Sequence, residues 1–279
     1  MRVAVCQLAL AVGNIEANRA AGLDAVNRAC DEGADLVVLP ELSDSGYVFA
    51  SLAEARSLAS PLSESATIAA WVSLANERDV AIAGGWCELG ADGRLYNSAA
   101  LVGPDGLCAV YRKLHLWDRE REVFLPGDQL SPLIEIDGVR IGLAICYDLE
   151  FPELIRLLAL AGVDLVVVPT NWPASAVPEG ERPIEFVKAQ ANAATNGIWI
   201  ALADRCGEER GVSWVGYSTI LDPEGFPMAP PLEPDGPGMV IAEIDALRSR
   251  AKSITENNDL FADRREDVYE LTVRSSSSR

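Results

Sequence analysis

An eight-residue stretch occurs twice in this chain, and the repeat constrains the fold more than any other feature of the sequence. Residues 33–40, Gly-Ala-Asp-Leu-Val-Val-Leu-Pro, recur at 162–169 as Gly-Val-Asp-Leu-Val-Val-Val-Pro, so that six of eight positions are identical. A helical pattern of apolar residues precedes each copy, and a polar loop follows it. Each copy therefore predicts a helix, a glycine joint and a short buried strand.

Two interpretations of the repeat are open. The commoner one is that any parallel α/β fold reuses such a joint between a helix and a strand. The other is a pseudo-symmetric sandwich in which two halves contribute equivalent strand ends to one site. Under either interpretation we expect function at the carboxyl ends of the strands, from Glu41 onward in the first copy and from Thr170 onward in the second.

The rest of the chain continues the alternation of strands and helices, which is typical of an α/β protein. No linker divides it, so we predict one domain over residues 1–270 and a disordered tail at 271–279. The last two strands are expected to pair with each other across a proline-rich connection. The predicted strands are 3–8, 36–39, 80–84, 96–102, 107–112, 139–146, 165–168, 198–203, 218–222 and 239–244, and the predicted helices are 16–32, 66–78, 152–161 and 184–195.

Charge and hydropathy exclude several classes of partner. The chain has 42 Asp and Glu residues against 23 Lys and Arg, a formal net charge of -19. A surface with this much negative charge repels phosphate backbones and anionic lipids. We therefore expect neither nucleic acid nor a membrane as a partner. No apolar stretch is long enough for a membrane span, and the first residues lack a signal-peptide pattern. We expect a cytoplasmic protein with reduced thiols.

Cysteine and histidine spacing argues against a metal site. The six cysteines form no CxxC pair, and the single histidine is His115, so ligand spacing of the zinc type is absent. No glycine-rich nucleotide motif is present either. We expect no metal and no cofactor, a structural hydrogen-bonding role for His115, and buried apolar surroundings for every cysteine except Cys146.

Cys146 ends a predicted strand and precedes a predicted helix. A turn of this kind moves a side chain out of the sheet and leaves backbone N–H groups beside it that can bind an oxyanion. The positive end of the following helix would favour the thiolate. The alternative is a buried cysteine without chemistry, which is the commonest fate of a free cysteine.

Two charged residues stand at other strand ends. Glu41 directly follows the first repeat, where partial burial would raise the pKa of its carboxyl group. Lys113 lies in a basic segment, Val110–Trp117, and its ammonium group could stabilise a developing oxyanion. The alternatives are an ordinary surface acid and a solvated lysine.

Three motifs around these residues together resemble the nitrilase superfamily of carbon–nitrogen hydrolases, over residues 2–245. The motifs are Leu39-Pro-Glu-Leu42 with Gly46-Tyr47, Tyr111-Arg-Lys-Leu-His115, and Ile145-Cys-Tyr-Asp-Leu-Glu-Phe-Pro-Glu153. The resemblance implies a four-layer αββα sandwich and a Glu-Lys-Cys triad.

The triad falls on Glu41, Lys113 and Cys146. The resemblance also implies a second glutamate on the loop after the lysine, for which Glu120 is preferred and Glu122 is the rival, because loop length varies. It further implies a homodimer that associates through the predicted helix 152–161.

Hydrolysis of an amide needs a strong nucleophile, a proton shuttle and an oxyanion partner, because the carbonyl is a poor electrophile. Cys146 would attack while Glu41 takes its proton, and Lys113 with the backbone N–H of Tyr147 would hold the oxyanion. We therefore expect hydrolysis of a small neutral or cationic aliphatic amide to a carboxylic acid and ammonia. Alternatives are a nitrilase, an N-carbamoyl-amine hydrolase, transfer of the acyl group to another acceptor, or a catalytically inactive binding protein.

The residues after the nucleophile bear on the substrate. Relatives that bind a carboxylate commonly have arginines there, whereas this chain has Asp148-Leu149-Glu150, and Glu150 would repel an anion. The segment looks like the aliphatic-amidase and aminopentanamidase-like branches. We predict a narrow aromatic pocket, with ordinary packing as the alternative for its two tryptophans. The residues predicted to bind substrate are Tyr47, Trp117, Tyr147, Asn171 and Trp172.

Overall fold

The computed structural model of the protein describes residues 1–273. Three short 3-10 helices, Leu62–Glu64, Asp118–Glu122 and Cys146–Glu150, accompany the regular elements. The strands are β1 Arg2–Ala9, β2 Leu36–Val38, β3 Ala81–Leu89, β4 Leu95–Gly103, β5 Gly106–Arg112, β6 Ile134–Ile136, β7 Val139–Leu143, β8 Leu165–Pro169, β9 Trp199–Ala203, β10 Arg205–Cys206, β11 Glu208–Glu209, β12 Val212–Ser213, β13 Thr219–Leu221, β14 Gly238–Glu243, β15 Ser253–Thr255 and β16 Asn258–Asp259, and the helices are α1 Ile15–Asp31, α2 Leu52–Leu58, α3 Ala66–Arg78, α4 Pro152–Leu160, α5 Ile184–Asn196 and α6 Ala246–Arg250.

Two mixed sheets form the centre of the fold. The first has the order β1-β2-β3-β4-β5, with β10 and β14 both paired to the outer side of β1. The second has the order β13-β9-β8-β7-β6. In each sheet the repeat strand, β2 or β8, lies between two parallel neighbours. The antiparallel strands continue each sheet outward from this parallel centre.

The two sheets pack face to face, and helices cover their outer faces. Val38 of β2 and Val167 of β8 belong to one buried cluster between the sheets. The alternate residue Val37 points the other way, into a second cluster that contains Trp71 of α3 and Val26 of α1, because side chains alternate along a strand. Helices α4 and α5 pack in the same manner on the second sheet. The predicted four-layer αββα sandwich is therefore confirmed.

Most predicted elements agree with the structure to within two residues, and α3 has the predicted bounds. Two predictions were wrong in length. The strand predicted at 80–84 extends to Leu89 as β3, and the strand predicted at 139–146 ends at Leu143. Cys146 instead begins the 3-10 helix Cys146–Glu150, because the chain leaves the sheet before it reaches the nucleophile position.

The predicted pairing of residues 218–222 with 239–244 was wrong. Strand β13 pairs antiparallel with β9 in the second sheet, whereas β14 pairs antiparallel with β1 in the first. Strand β13 lies at an edge of the second sheet, and β14 lies at an edge of the first. The proline-rich connection between them therefore crosses from one sheet to the other instead of closing a hairpin.

Other sequence predictions have mixed outcomes. Cys108 is exposed and Cys30 is half-buried, so the prediction of burial was wrong for both. Cys108 lies on the edge strand β5, and Cys30 lies near the end of α1.

Of the predicted tail at 271–279, residues 274–279 lie outside the described part of the chain. No helix among residues 1–273 has both the length and the apolar character of a membrane span.

Candidate active site

The ends of the two repeat strands meet between the sheets. The side-chain amide of Asn171, which follows β8, donates a hydrogen bond to the backbone oxygen of Glu41, which follows β2, at 2.9 Å. The Sγ atom of Cys146 lies 3.7 Å from the backbone oxygen of Asn171. The geometry agrees with the second interpretation of the repeat, in which two equivalent strand ends form one site.

Lys113 lies between two carboxylates at this site. Its Nζ atom is 2.7 Å from Oε1 of Glu41 and 2.7 Å from Oε1 of Glu120. All three side chains are buried. The rival glutamate, Glu122, pairs instead with Arg119, and both of those side chains are mostly exposed. The structure therefore brings Glu120, and not Glu122, to the lysine.

The two carboxylates differ in their free hydrogen-bonding capacity. Both oxygens of Glu120 have partners, because Oε1 also accepts from the Tyr47 hydroxyl at 2.6 Å and Oε2 accepts from the backbone N–H of Trp117 at 3.2 Å. Oε1 of Glu41 accepts from Asn97 at 2.6 Å, but its Oε2 is buried with no partner among residues 1–273. A buried carboxylate oxygen without a partner is available to a reacting group.

Burial dominates the protonation states at the site. It raises the pKa of the Glu41 carboxyl group to about 7, although the charge of Lys113 opposes the shift. Burial also raises the pKa of the Cys146 thiol well above its usual range, and the charge of Glu41 adds to this effect. Lys113 shows the reverse balance: burial lowers the pKa of its ammonium group, but Glu120 and Glu41 outweigh burial and raise it.

The sequence predicted that the positive end of the following helix would favour the thiolate, but burial outweighs any such effect and raises the pKa of the thiol. Helix α4 begins only at Pro152, after the 3-10 helix that contains Cys146. A raised pKa favours the protonated thiol at neutral pH, so a nucleophilic role for Cys146 would need a base. Cys146 has a left-handed backbone conformation, with φ of 46°, which is uncommon outside glycine and clusters at functional sites.

Asp148 clamps the nucleophile turn onto the lysine segment. Its Oδ2 accepts from the backbone N–H of Ile145 at 3.0 Å and from the Tyr111 hydroxyl at 2.8 Å. Its Oδ1 lies 3.1 Å from the backbone nitrogen of His115 and 2.8 Å from Nδ1 of the same residue. Tyr111 and His115 flank Lys113, and Ile145 precedes Cys146, so one buried carboxylate fixes the segments that contain Lys113 and Cys146. The ring of His115 also stacks on Phe151, with 3.6 Å between centroids, as suits a structural residue.

The expectation that Glu150 would repel an anionic substrate stays a prediction, although its charge has a partner in the structure. Asp148 is occupied by the clamp, and Glu150 pairs with Lys188 of α5. Sequence reasoning missed the clamp because the partners of Asp148 are not adjacent in the chain. The segment after Cys146 has three acidic residues, Asp148, Glu150 and Glu153, so the sequence did not single out Asp148.

A cavity of about 510 Å³ adjoins the buried carboxylate of Glu120. Tyr47, Trp117 and Glu120 line it, as the sequence predicted for Tyr47 and Trp117. Trp172 is buried in the core, and neither Trp172 nor Asn171 lines this cavity. Tyr147 packs edge-on against Trp117, with 4.8 Å between centroids, and lines a separate smaller cavity. Most residues that line the 510 Å³ cavity were not indicated by the sequence.

A buried ion pair between Arg205 and Glu209 supports two aromatic residues that line the cavity, Tyr47 and Trp214. Arg205 lies 3.1 Å from Oε1 of Glu209, and the side chains of both residues are almost completely buried. Oε2 of Glu209 accepts from the backbone N–H groups of Tyr47 and Val48, at 3.0 and 2.6 Å. The guanidinium of Arg205 stands 4.5 Å from the centre of the Trp214 ring, which itself packs edge-on against Tyr47. The pair thereby fixes two aromatic walls of the cavity.

The described residues show no cluster of three or more His, Cys, Asp or Glu side chains arranged to hold a metal ion. The side chains of the site offer a thiol, a carboxylate with an open oxygen, and an ammonium group that pairs with this carboxylate.

Comparisons with known proteins show which family the chain belongs to. The family model described as carbon-nitrogen hydrolase matches residues 2–252. The chain is 38% identical to a nitrilase from Pyrococcus abyssi, over 88% of this chain and 89% of that protein. It is 37% identical to an (R)-stereoselective amidase from Pseudomonas sp., over 81% of this chain and 78% of that one.

Solved structures extend the likeness to the fold. A variant of the amidase from Nesterenkonia sp. AN1, which shows covalent addition of the acetamide moiety of fluoroacetamide at the active site cysteine, superimposes with a TM-score of 0.81. The match covers 96% of this chain and 95% of that one, at 27% identity.

Proposed function

The chain belongs to the carbon–nitrogen hydrolase family, and from this premise we propose that it hydrolyses primary amides to carboxylic acid and ammonia through a thioester on Cys146. The observation that supports this most directly is the buried, unpartnered Oε2 of Glu41 beside a neutral thiol. The amidase relatives support the reaction class, and the covalent adduct on the cysteine of the Nesterenkonia amidase supports the intermediate.

The first step forms the carbon–sulfur bond. Glu41 takes the thiol proton of Cys146 on its open oxygen, and the sulfur attacks the amide carbonyl carbon. The electron pair of the carbonyl double bond moves to oxygen, where the ammonium group of Lys113 and the backbone N–H of Tyr147 stabilise the charge. A carboxyl group with a pKa of about 7 suits this role, because it accepts and releases a proton near neutral pH.

The second and third steps return the enzyme to its resting state. Glu41 donates its proton to the amide nitrogen, the carbon–nitrogen bond breaks, ammonia leaves and a thioester remains on Cys146. A water molecule then gives a proton to Glu41 and attacks the thioester carbonyl carbon. The carbon–sulfur bond breaks, the acid departs, and the thiolate takes back the proton from Glu41.

Glu120 acts through Lys113 in this proposal. Both of its oxygens are occupied, so it is not available as a second base. Its charge holds the ammonium group beside the open oxygen of Glu41. Tyr47, which donates to Glu120, belongs to the same support.

A nitrilase reaction is the second candidate, favoured by the relative of that name from Pyrococcus abyssi. The same thiol would attack a nitrile carbon to give a thioimidate. Ammonia release from a panel of amides and the matching nitriles distinguishes the two reactions: we expect turnover of the amides, and turnover of nitriles alone would contradict the amidase proposal.

Intact-protein mass spectrometry with short primary amides tests the intermediate. We expect an increase by the mass of the acyl group, lost in Cys146→Ala. Amide hydrolysis at the original rate in that variant would contradict the mechanism. Cys6→Ala is a matched control, because Cys6 is buried within the first sheet, away from the site.

We further propose a cytoplasmic homodimer that associates through α4. The proposal rests on the resemblance to family members that associate through this helix. The mass in solution, measured by light scattering, tests it, and a monomeric mass would contradict it.

A further inference from the structure

The 510 Å³ cavity borders the proposed reaction centre through Glu120 and Tyr47. Glu120 and Tyr47 both line the cavity, and the same two residues are joined by a hydrogen bond on the Lys113 side of the site. A group bound in the cavity would therefore lie next to the position where the amide carbonyl must sit. Within the proposed function, this is the space that the acyl group of the substrate can occupy.

The cavity is much larger than a short aliphatic amide requires. Since one water molecule takes about 30 Å³ of liquid volume, the cavity has room for about 17 water molecules. Acetamide would fill only a small part of it and would leave apolar walls in contact with water. Binding sites of this size ordinarily enclose most of the surface of a ligand.

The walls are mainly apolar and are fixed in place. Phe49 and Phe124 pack edge-on, with 6.0 Å between centroids, and Trp214 is held between Arg205 and Tyr47. Leu52 of α2 and Val212 of β12 complete the apolar lining. A wall that is already ordered needs little rearrangement when an apolar group binds.

Charge at the rim disfavours a carboxylate on the acyl group. Arg119 is the cation in the lining, and its guanidinium pairs with Glu122. Asp118 adds a second negative charge at the same rim. An acyl group with a terminal carboxylate would meet two acidic side chains and an arginine that already has a partner.

We propose that this cavity is the acyl-group site and that the preferred substrates are primary amides with an extended apolar acyl group, alkyl or aryl, that has no terminal carboxylate. The proposal rests on the proposed amidase function and specifies its substrate class.

A chain-length series tests the proposal. The values of kcat/KM are measured by ammonia release for acetamide, butyramide, hexanamide and phenylacetamide, and for an amide with a terminal carboxylate. Burial of one methylene group is worth about 0.8 kcal/mol, so we expect about a fourfold rise in kcat/KM for each methylene until the cavity is filled. The carboxylated amide should be at least about tenfold poorer than its neutral counterpart of equal length.

Two variants at the rim examine the cavity itself. Val212→Trp and Leu52→Trp add bulk at half-buried and exposed positions, where folding tolerates a larger side chain. Either variant should reduce the ratio of kcat/KM for hexanamide to that for acetamide by about tenfold. Leu247→Trp, at an exposed position outside the site, should leave the whole series unchanged.

The outcomes separate the two proposals. A flat or falling chain-length dependence, or an unchanged hexanamide-to-acetamide ratio in both rim variants, would overturn the acyl-group proposal while amide hydrolysis stands. Absence of ammonia release from every amide, acetamide included, would overturn the amidase function as well. A rising dependence that the rim variants abolish supports both.

Discussion

The joints that lead into the two repeat strands, β2 and β8, have similar backbone geometry, whereas the side chains around them have different partners. The joint glycine is left-handed in both copies, with φ of 81° at Gly33 and 97° at Gly162. The N–H of Gly33 bonds to the oxygen of Cys30 at 2.8 Å, and that of Gly162 bonds to the oxygen of Ala159 at 3.0 Å. The two halves of the sandwich thus repeat one structural unit down to single hydrogen bonds.

The copies diverge at the aspartate and again after the proline. Asp35 and Asp164 each accept a bond from a neighbouring strand, but Asp35 is exposed, whereas Asp164 is buried and also binds Arg140, Arg250 and Ser249. After the proline, the first copy supplies the carboxylate of Glu41 and the second supplies an amide. The shared unit positions the chain in both copies. In the proposed mechanism, the residues around it give the first copy a role in catalysis and the second a role in stability.

Replacement of the carboxylate at the first strand end should have the largest effect. Glu41→Gln keeps the size of the side chain but removes the base, so kcat/KM for an amide should fall by about a thousandfold, within the range of general base catalysis. Glu77→Gln, on the exposed face of α3, is the control. Near-normal activity in Glu41→Gln would mean that the first strand end does not supply the base.

The pH profile of kcat/KM should identify the same group without mutation. Burial raises the pKa of Glu41 to about 7, and the mechanism needs its carboxylate form. Activity should therefore be lost as pH falls below 7, by about a hundredfold at pH 5. The raised pKa of the Cys146 thiol predicts no gain from thiolate formation in the neutral range. An inflection near pH 4.5 would indicate a carboxylate of ordinary pKa instead.

The free energy of unfolding should depend on Asp164, which belongs to the second copy of the repeat. Asp164→Asn removes the charge that Arg140 and Arg250 share, and breaking a buried pair costs about 3–5 kcal/mol. Both arginines are more than a third exposed, so screening by solvent reduces the expected loss to about 2 kcal/mol in the free energy of unfolding. Urea denaturation at neutral pH measures this, with activity of the folded fraction expected to be unchanged. If Asp164→Asn lost activity but kept its free energy of unfolding, Asp164 would serve catalysis and not stability.

The amide at the second strand end should contribute to catalysis through Glu41. Asn171→Ala removes the donor that holds the backbone oxygen of Glu41, a buried hydrogen bond worth about 1–2 kcal/mol. We expect about a tenfold fall in kcat/KM with the inflection of the pH profile still present, since Asn171 does not titrate. A profile without that inflection would show that Asn171 affects more than the position of the base.

Sequence reasoning located what lies in contiguous motifs and missed what depends on distant partners. The repeat, the order of the strands and the triad candidates could be predicted, because each is written in a short segment with its own periodicity or motif. The clamp of Asp148 and the support of Tyr47 by Glu209 could not, since 33 and 162 residues separate the bonded positions. The pairing of β13 and β14 was wrong for the same reason: the sequence shows neighbouring strands, whereas the two sheets decide their partners.

The smallest expected effect belongs to the first aspartate, and it decides what the comparison means. Asp35→Asn keeps a side-chain oxygen that can accept from the backbone N–H of Arg2, and the position is exposed, so unfolding free energy should change by less than about 0.5 kcal/mol. Both aspartates accept a bond from a backbone N–H, but only Asp164 also pairs with arginines. The losses of unfolding free energy in Asp35→Asn and Asp164→Asn therefore show how much each kind of contact contributes. A loss as large as that at Asp164 would assign the stability to the shared backbone bond, and the two halves would then be equivalent in stability as well as in shape.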